Sequence, residues 1–405
     1  MAEIIPFRGI FYNKDKVRAE DVVAPPYDII TSDMRDSLYE ASPYNIVRID
    51  FGKELKGDNS ENKYTRAAEY LQRWLKEGIL LRSKSPCFYA YKMDYSVEGQ
   101  RKSLLGFFAL VRLMEFGQGV FPHEATHSKP REDRLSLLKT CQANTSPIFA
   151  LYDSEKKTIS EILKKETSKQ PYMSARDLDG ALHSLWIIEE PSSIEAIREE
   201  LTDKAIFIAD GHHRYETALE YKRQMRAHGE GLHNYVLMFL ANISDGGITI
   251  LPTHRLIEEN IDNIKDRLSE EFDIEDLPEG SDIVSAIRGR QHVFGLYTRE
   301  GFSVLRYKGD HSEIPPALRG LDVVILDEIA LKRLLGVKKP SYEMDPKRAE
   351  ALVREGRYEA VFFLNPTSID DVKEVASASL RMPPKSTYFY PKLLTGFIIN
   401  SLKNS

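Results

Sequence analysis

Only two cysteines, Cys87 and Cys141, occur in 405 residues. They offer neither a disulfide framework nor a CxxC pair for a structural metal, so a reducing, cytoplasmic setting is the expectation. Long apolar runs are also missing. The stretch MAEIIPFRGIFYNKDKV meets Pro6 at once and holds no signal-peptide core, and no apolar run approaches membrane-spanning length. No membrane partner is expected. A formal net charge of −6 argues against a general nucleic-acid binder. Neither a GxxxxGK(S/T) loop nor a GxGxxG turn occurs, so neither a P-loop nor a Rossmann nucleotide site is indicated. Repeats and low-complexity segments are lacking. What remains is an ordinary globular composition, 42% hydrophobic and 29% charged, in a chain long enough for two or three domains.

The chain is organised around AIFIADGHHRYETAL, residues 205–219. Its first five residues are apolar and β-prone and read as a buried strand. Asp210-Gly211 breaks the run, and Gly211 can take backbone angles closed to other residues. From His213 onward Tyr215, Ala218 and Leu219 fall at helical spacing. A strand, a glycine turn and a helix start make a corner where oxyanions bind, because free N–H groups and the positive end of the helix dipole meet there. One carboxylate, two imidazoles and one guanidinium stand on that corner within five residues. The plain alternative makes Asp210 a helix cap and Arg214 a solvated first-turn residue. Paired histidines add nothing to capping.

Along the chain, residues 4–12 read as a first strand and turn. Pro25 and Pro26 hold a stiff loop that presents Tyr27 and Asp28, unless it is only a connector. Residues 45–51 read as a strand and 64–78 as an amphipathic helix. Residues 88–97 and 102–114 pair around Glu98-Gly99. A helix over 134–141 leads to the polar turn Asn144-Thr145-Ser146-Pro147 and a strand over 148–152. A strand over 182–189, a helix over 192–200 and the 205–209 strand form a β-α-β crossover. Residues 234–243 and 248–251 read as neighbouring strands. Beyond 258, helices over 258–272 and 281–288 alternate with strands over 291–298 and 302–307. A helix over 326–335, a strand over 360–364 and a helix over 368–378 follow. Two regions result: 1–257, carrying the catalytic loops, and 258–405, a smaller α/β region whose KSTYFYPK segment returns toward the site. The second region suits packing, lid or dimer contacts, so a homodimer stays open.

His123-Glu124-Ala125-Thr126-His127 is a literal HExxH. A zinc hydrolase would place both imidazoles on one helix face, with Glu124 as general base. Pro122 and Pro130 confine such a helix to about two turns, and no clear third ligand follows. The other reading is a phosphate- and metal-binding loop. There His123, His127, Lys129 and Arg131 meet phosphate oxygens. Glu124 supplies a carboxylate for a proton or for Mg²⁺.

Asp210-Gly211-His212-His213-Arg214 resembles the signature of the ParB/sulfiredoxin superfamily, and of its free-serine kinase branch in particular. Sulfiredoxins carry a cysteine where this chain has His212, so their thiol chemistry is not implied. A wider set is similar to a bacterial and archaeal family long catalogued as a domain of unknown function, which includes pyrophosphate-dependent serine kinases. That set comprises Ala24-Pro25-Pro26-Tyr27-Asp28, His123-Glu124-Ala125-Thr126, Ala209 to Tyr215, Pro252-Thr253-His254-Arg255 and Lys385 to Lys392. The resemblance implies a mixed α/β fold: a ParB/sulfiredoxin-like catalytic core with an additional α/β subdomain. It implies catalysis by Asp210 and Glu124, either of which would also hold Mg²⁺. Gly211, His212, His213 and Arg214 would bind phosphate. Substrate contacts would come from Tyr27, Asp28, Asn144, Ser146, Thr253, His254, Arg255, Lys385, Ser386 and Thr387. The implied activity is phosphorylation of free L-serine to O-phospho-L-serine, with pyrophosphate as donor and ADP or ATP second, feeding serine and cysteine metabolism. No organic cofactor is expected. The competing classes are a ParB-like nucleotide-binding regulatory module and the zinc hydrolase.

Overall fold

The strand Ile206–Asp210 lies second from one edge of a nine-stranded sheet in the computed structural model of the protein. The structure describes residues 3–124, 128–310, 312 and 314–403, without side chains for 128–130. Across the sheet run Val120–Phe121, Ile206–Asp210, Ile148–Tyr152, Tyr235–Asn242, Gln100–Arg112, Phe88–Val97, Leu182–Ile188 and Met173–Arg176, with Ile4–Ile5 also paired to Gln100–Arg112. The fold is mixed α/β. Most ladders are antiparallel, while Ile206–Asp210 runs parallel to Val120–Phe121, and Ile148–Tyr152 parallel to Tyr235–Asn242.

The chain forms two compact units. The first holds residues 1–122, 126–248 and 391–405, and the second holds 123–125 and 249–390. The first unit's core joins sheet residues such as Phe107, Ile148, Ile208 and Met238 to Tyr215, Ala218 and Leu219 of the helix His212–Gln224. Each large apolar side chain buried there contributes about 1.5–3 kcal/mol relative to exposure. The helix is thus pinned along one side, which fixes where its amino-terminal turn points. The second unit has an antiparallel six-stranded sheet ordered Phe272–Asp276, Gly301–Tyr307, Val293–Thr298, Ala360–Phe363, His254–Ile257 and Ser341–Glu343. Among the described residues no helix is long and apolar enough to cross a membrane.

Several expected elements form differently. Residues 45–51 make the short helix Val47–Asp50 and not a strand. Asn45 accepts from the Val47 N–H and donates to the carbonyls of Asp21 and Val23, so its side chain captures the backbone into a turn. The expected single strand over 4–12 splits, because Ile10–Tyr12 pairs with Leu80–Arg82. Leu182–Ile188 and Ile206–Asp210 are parallel, but four strands separate them, so the crossover spans most of the sheet. Thr249–Leu251 pairs with Tyr388–Tyr390 instead of the Tyr235–Asn242 strand. Of the helix expected over 258–272 only the short stretch Ile264–Leu268 is helical, entered through a left-handed Asn263, and Phe272 opens the strand Phe272–Asp276. The helix Ile325–Leu335 winds with the wider π geometry.

Candidate active site

Asp210 closes a strand whose first four residues are buried. Pairing with Ile148–Tyr152 slips between Ile208 and Asp210, leaving Ala209 as a bulge. A bulge re-aims the side chains that follow it. Gly211 comes next at φ 95° and ψ 27°, in the left-handed region, as the residue that caps the helix His212–Gln224. A Cβ there would meet the Arg214 guanidinium at 2.9 Å. Backbone angle and space therefore both demand glycine. Having no side chain, Gly211 cannot cap the first-turn N–H groups of the helix it opens.

Arg214 folds back over Gly211. Its NH1 donates to the Pro147 carbonyl, its NH2 lies 3.9 Å from Asp210 Oδ2, and its buried Nε has no hydrogen-bond partner among the described residues. Lys392 Nζ reaches the same carboxylate oxygen at 3.2 Å. Asp210 thus stands between two cations, with side chains 21% exposed for Asp210, 11% for Arg214 and 13% for Lys392. His212 is buried and His213 half-buried at the helix start.

A second charged group lies beneath Tyr27. Arg134, from the helix Ser128–Cys141, stacks 4.1 Å from the Tyr27 ring centre and bonds Asp50 and Asp133. Asp50 Oδ1 also accepts from Thr145 Oγ1 at 2.6 Å, while its buried Oδ2 has no hydrogen-bond partner among the described residues. Burial would raise the Asp133 carboxyl, but Arg134 and Lys63 outweigh it and hold it at about 2. Burial pushes the Tyr27 phenol up to about 12 against the pull of Arg134 and Arg214. A cavity of about 40 Å³, the scale of one or two waters, is lined by Arg134, Asn144, Thr145, Ser146, Arg214 and Thr217 among others. Asn144 Oδ1 accepts from Leu237 N and Asn400 Nδ2, which makes it a buried tie between segments. Asp28 is exposed. Arg131 pairs with Glu216 at 2.9 Å on the neighbouring helix.

The second unit gathers other expected residues. His123, fully buried, meets Thr387 Oγ1 through Nε2 at 2.8 Å, and its carbonyl accepts from Met382 N. Glu124 Oε1 accepts from Lys385 N at 2.9 Å. Lys385 is left-handed at φ 60°, and Ser386 Oγ donates to the Pro383 carbonyl. Both ring nitrogens of buried His254 and the hydroxyl of Thr253 lack hydrogen-bond partners among the described residues. Arg255 is fully buried, forks onto Asp327 at 2.9 and 3.0 Å, and packs under Tyr342. His127 lies outside the described residues, as does the side chain of Lys129.

Of the HExxH motif, His123 and Glu124 lie outside any helix, Glu124 forming a bridge with Met382, and residues 125–127 lie outside the described residues. Among the described residues no cluster of three His, Cys, Asp or Glu side chains could hold a metal.

Lys392, Arg134, Asp50 and Thr145 were not singled out by sequence. Lys392 ends the KSTYFYPK segment, so its motif was visible but its partner was not. Asp50 was hidden inside NIVRIDF, whose apolar residues suggest a strand.

The family described as "Protein of unknown function (DUF1015)" matches residues 4–324. No curated protein matches the chain. Among solved structures, a free serine kinase mutant in complex with AMP is similar at 14% identity and a TM-score of 0.38, over 70% of this chain and 87% of that one. Another free serine kinase mutant, in complex with ADP, is similar at 14% identity and a TM-score of 0.39, over the same shares. A conserved hypothetical protein from Pyrococcus furiosus is similar at 13% identity and a TM-score of 0.37, over 71% of this chain and 92% of that one.

Proposed function

The chain belongs to the DUF1015 family, and from that premise we propose that it is a phosphotransferase acting on the hydroxyl of free L-serine, with pyrophosphate as donor and ADP or ATP as second choice. One observation carries the reading. A carboxylate, Asp210, ends a bulged strand directly before a left-handed glycine and a helix start bearing His212, His213 and Arg214. Phosphoryl transfer needs that combination: donors aimed at phosphate oxygens, and a base within reach of the acceptor hydroxyl. The resemblance of the ADGHHRY corner to free-serine kinases supports serine as the acceptor. The wider motif set supports pyrophosphate as the donor.

In this reading the helix start, His212, His213 and Arg214 bind donor phosphate. The serine oxygen forms the new O–P bond while the donor's bridging P–O bond breaks, its electron pair leaving with the departing phosphate. Asp210 receives the hydroxyl proton. Glu124 is the weaker candidate for base, because one of its oxygens already accepts the Lys385 N–H. Magnesium needs few protein ligands when it travels on phosphates, and the partly exposed Asp210 carboxylate fits one such contact. When bound, the ion would neutralise charge on the donor. Arg214 orients phosphate, and the bulge fixes the direction from which Asp210 meets the hydroxyl.

Phosphorus NMR tests this with serine, Mg²⁺ and each donor in turn. Phosphoserine formed from pyrophosphate supports the whole reading. Formation from ADP or ATP alone removes the donor assignment, and no phosphoserine from any donor removes the function.

A further inference from the structure

Three loops of the first unit that lie far apart in sequence share one partner, the segment that closes the chain. Ala24, just before Pro25-Pro26-Tyr27, exchanges two backbone hydrogen bonds with Thr395, at 3.1 and 2.8 Å. Asn144, at the start of the Asn144–Pro147 turn, accepts from Asn400 Nδ2 at 3.0 Å, and Gln142 O accepts from Leu402 N at 2.8 Å. Asp210 receives Lys392 Nζ at 3.2 Å. Between these ties, Leu394, Phe397, Ile398 and Ile399 are buried, and Ile399 exchanges two further bonds with Ile10. The segment is a strap threaded through the core of the unit.

A lysine is ordinarily solvated, because its ammonium is strongly hydrated and its stem is flexible. Lys392 departs from that pattern, with a side chain only 13% exposed. Pro391 restricts the backbone on one side of it, and the Thr395–Ala24 ladder fixes the other. The ammonium is therefore delivered to a set place. Removing a charge from water is costly unless it is paired, and the pairing group here is the carboxylate assigned above as the base. Arg214 adds a second, longer contact to the same oxygen. A carboxylate on a bulged strand end needs such anchors to stay within the narrow tolerance that proton transfer demands.

We propose that Lys392 is a positioning residue for phosphoryl transfer, acting through Asp210, and that the C-terminal strap is what delivers it. The inference rests on the serine-kinase reading above. It adds a residue from the far end of the chain to the Asp210 corner. It also makes the corner dependent on the strap being docked.

The test is a double-mutant cycle on the full chain, using Lys392→Met, Asp210→Asn and the double variant, with phosphoserine formation measured in the steady state at varied serine. Lys392→Met is expected to lower kcat by roughly 10- to 100-fold with the serine KM within about threefold, the pattern of a lost orientation and not of lost serine binding. Lys392→Arg should recover most of that loss. In the Asp210→Asn background, adding Lys392→Met should cost less than about threefold, because no carboxylate remains to be held. Should Lys392→Met fail to fold, Lys392→Gln carries the same cycle. An equal factor in both backgrounds, or a Lys392→Met enzyme with unchanged kcat, overturns the proposal and leaves the kinase standing. A wild-type enzyme silent with pyrophosphate, ADP and ATP overturns the kinase, and the proposal with it.

Discussion

Replacing Gly211 by alanine separates two costs that the corner combines. The first is backbone strain. At φ 95° an L residue is held in the left-handed region, and the penalty is about 1–2 kcal/mol. The second is steric: the new methyl would lie 2.9 Å from Arg214 Nε and NH2, so the guanidinium must move. Gly336→Ala isolates the first cost. Gly336 has φ 76° and ψ 11°, in the same left-handed region, and a Cβ there meets nothing within 4 Å. Gly336→Ala should therefore lose about 1–2 kcal/mol in equilibrium unfolding, and Gly211→Ala at least as much.

Their kinetics should differ. If Arg214 binds donor phosphate as proposed, its displacement should cost about 1.5–3 kcal/mol. That corresponds to a rise in donor KM of roughly 10- to 100-fold for Gly211→Ala, with the serine KM changing much less. Gly336→Ala should leave both constants near wild type. Steady-state assays that vary donor and serine separately decide the matter. If Gly211→Ala matches Gly336→Ala in donor KM within about twofold, then Arg214 is not the phosphate ligand that its packing over Gly211 suggests.

Three further outcomes are expected. Asp210→Asn should lower turnover by about 10²–10⁴ with unfolding unchanged, and a variant within threefold of wild type would move the base elsewhere. Arg134→Met should cost about 3–5 kcal/mol in denaturant unfolding, because Asp50 would remain buried with its main cationic partner gone; a loss below about 1 kcal/mol would count against that account. Burial, with Arg255 adding to it, holds His254 at about 4, below its ordinary 6.5. The unfolded chain thus takes up a proton that the folded chain refuses, so stability should fall as pH drops from 6.5 to 4, by up to about 3 kcal/mol. His254→Leu should flatten that slope in urea titrations across the same window, and an unchanged slope would assign it to other groups.

The DGHHR corner is legible in sequence because every signal there is local. An apolar run, a glycine and a helical period occupy consecutive positions, and the strand Ile206–Asp210 and the helix His212–Gln224 form where those signals place them. The same holds for the helix Lys63–Lys76, whose Asn62 and Thr65 complete a capping box, and for Ile369–Ser377, capped by Ser368 and Asp371. Where a side chain competes with the periodic signal, the reading fails. Asn45 bonds three backbone groups and turns residues that alternate like a strand into a helical turn.

What periodicity cannot carry is the pairing of distant segments. Nothing local in Thr249–Leu251 says that it pairs with Tyr388–Tyr390 and not with the strand just before it. Nothing local in Lys392 names Asp210. Arg255 shows the same limit from the other side. A His-Arg pair after a proline looks like surface chemistry, yet Asp327 neutralises the guanidinium with two parallel bonds, and that makes complete burial tolerable. Asp327 comes from a helix whose π winding has no signature in its sequence. Charges that sequence reading assigns to a ligand can thus be spent inside the fold, as Arg131 is on Glu216. Arg214 differs from both. One of its nitrogens is buried without a hydrogen-bond partner among the described residues, beside a carboxylate and at the start of a helix. An arginine held by a single carbonyl and a 3.9 Å contact keeps hydrogen-bonding capacity that a phosphate would complete, and for Arg255 that capacity is already used.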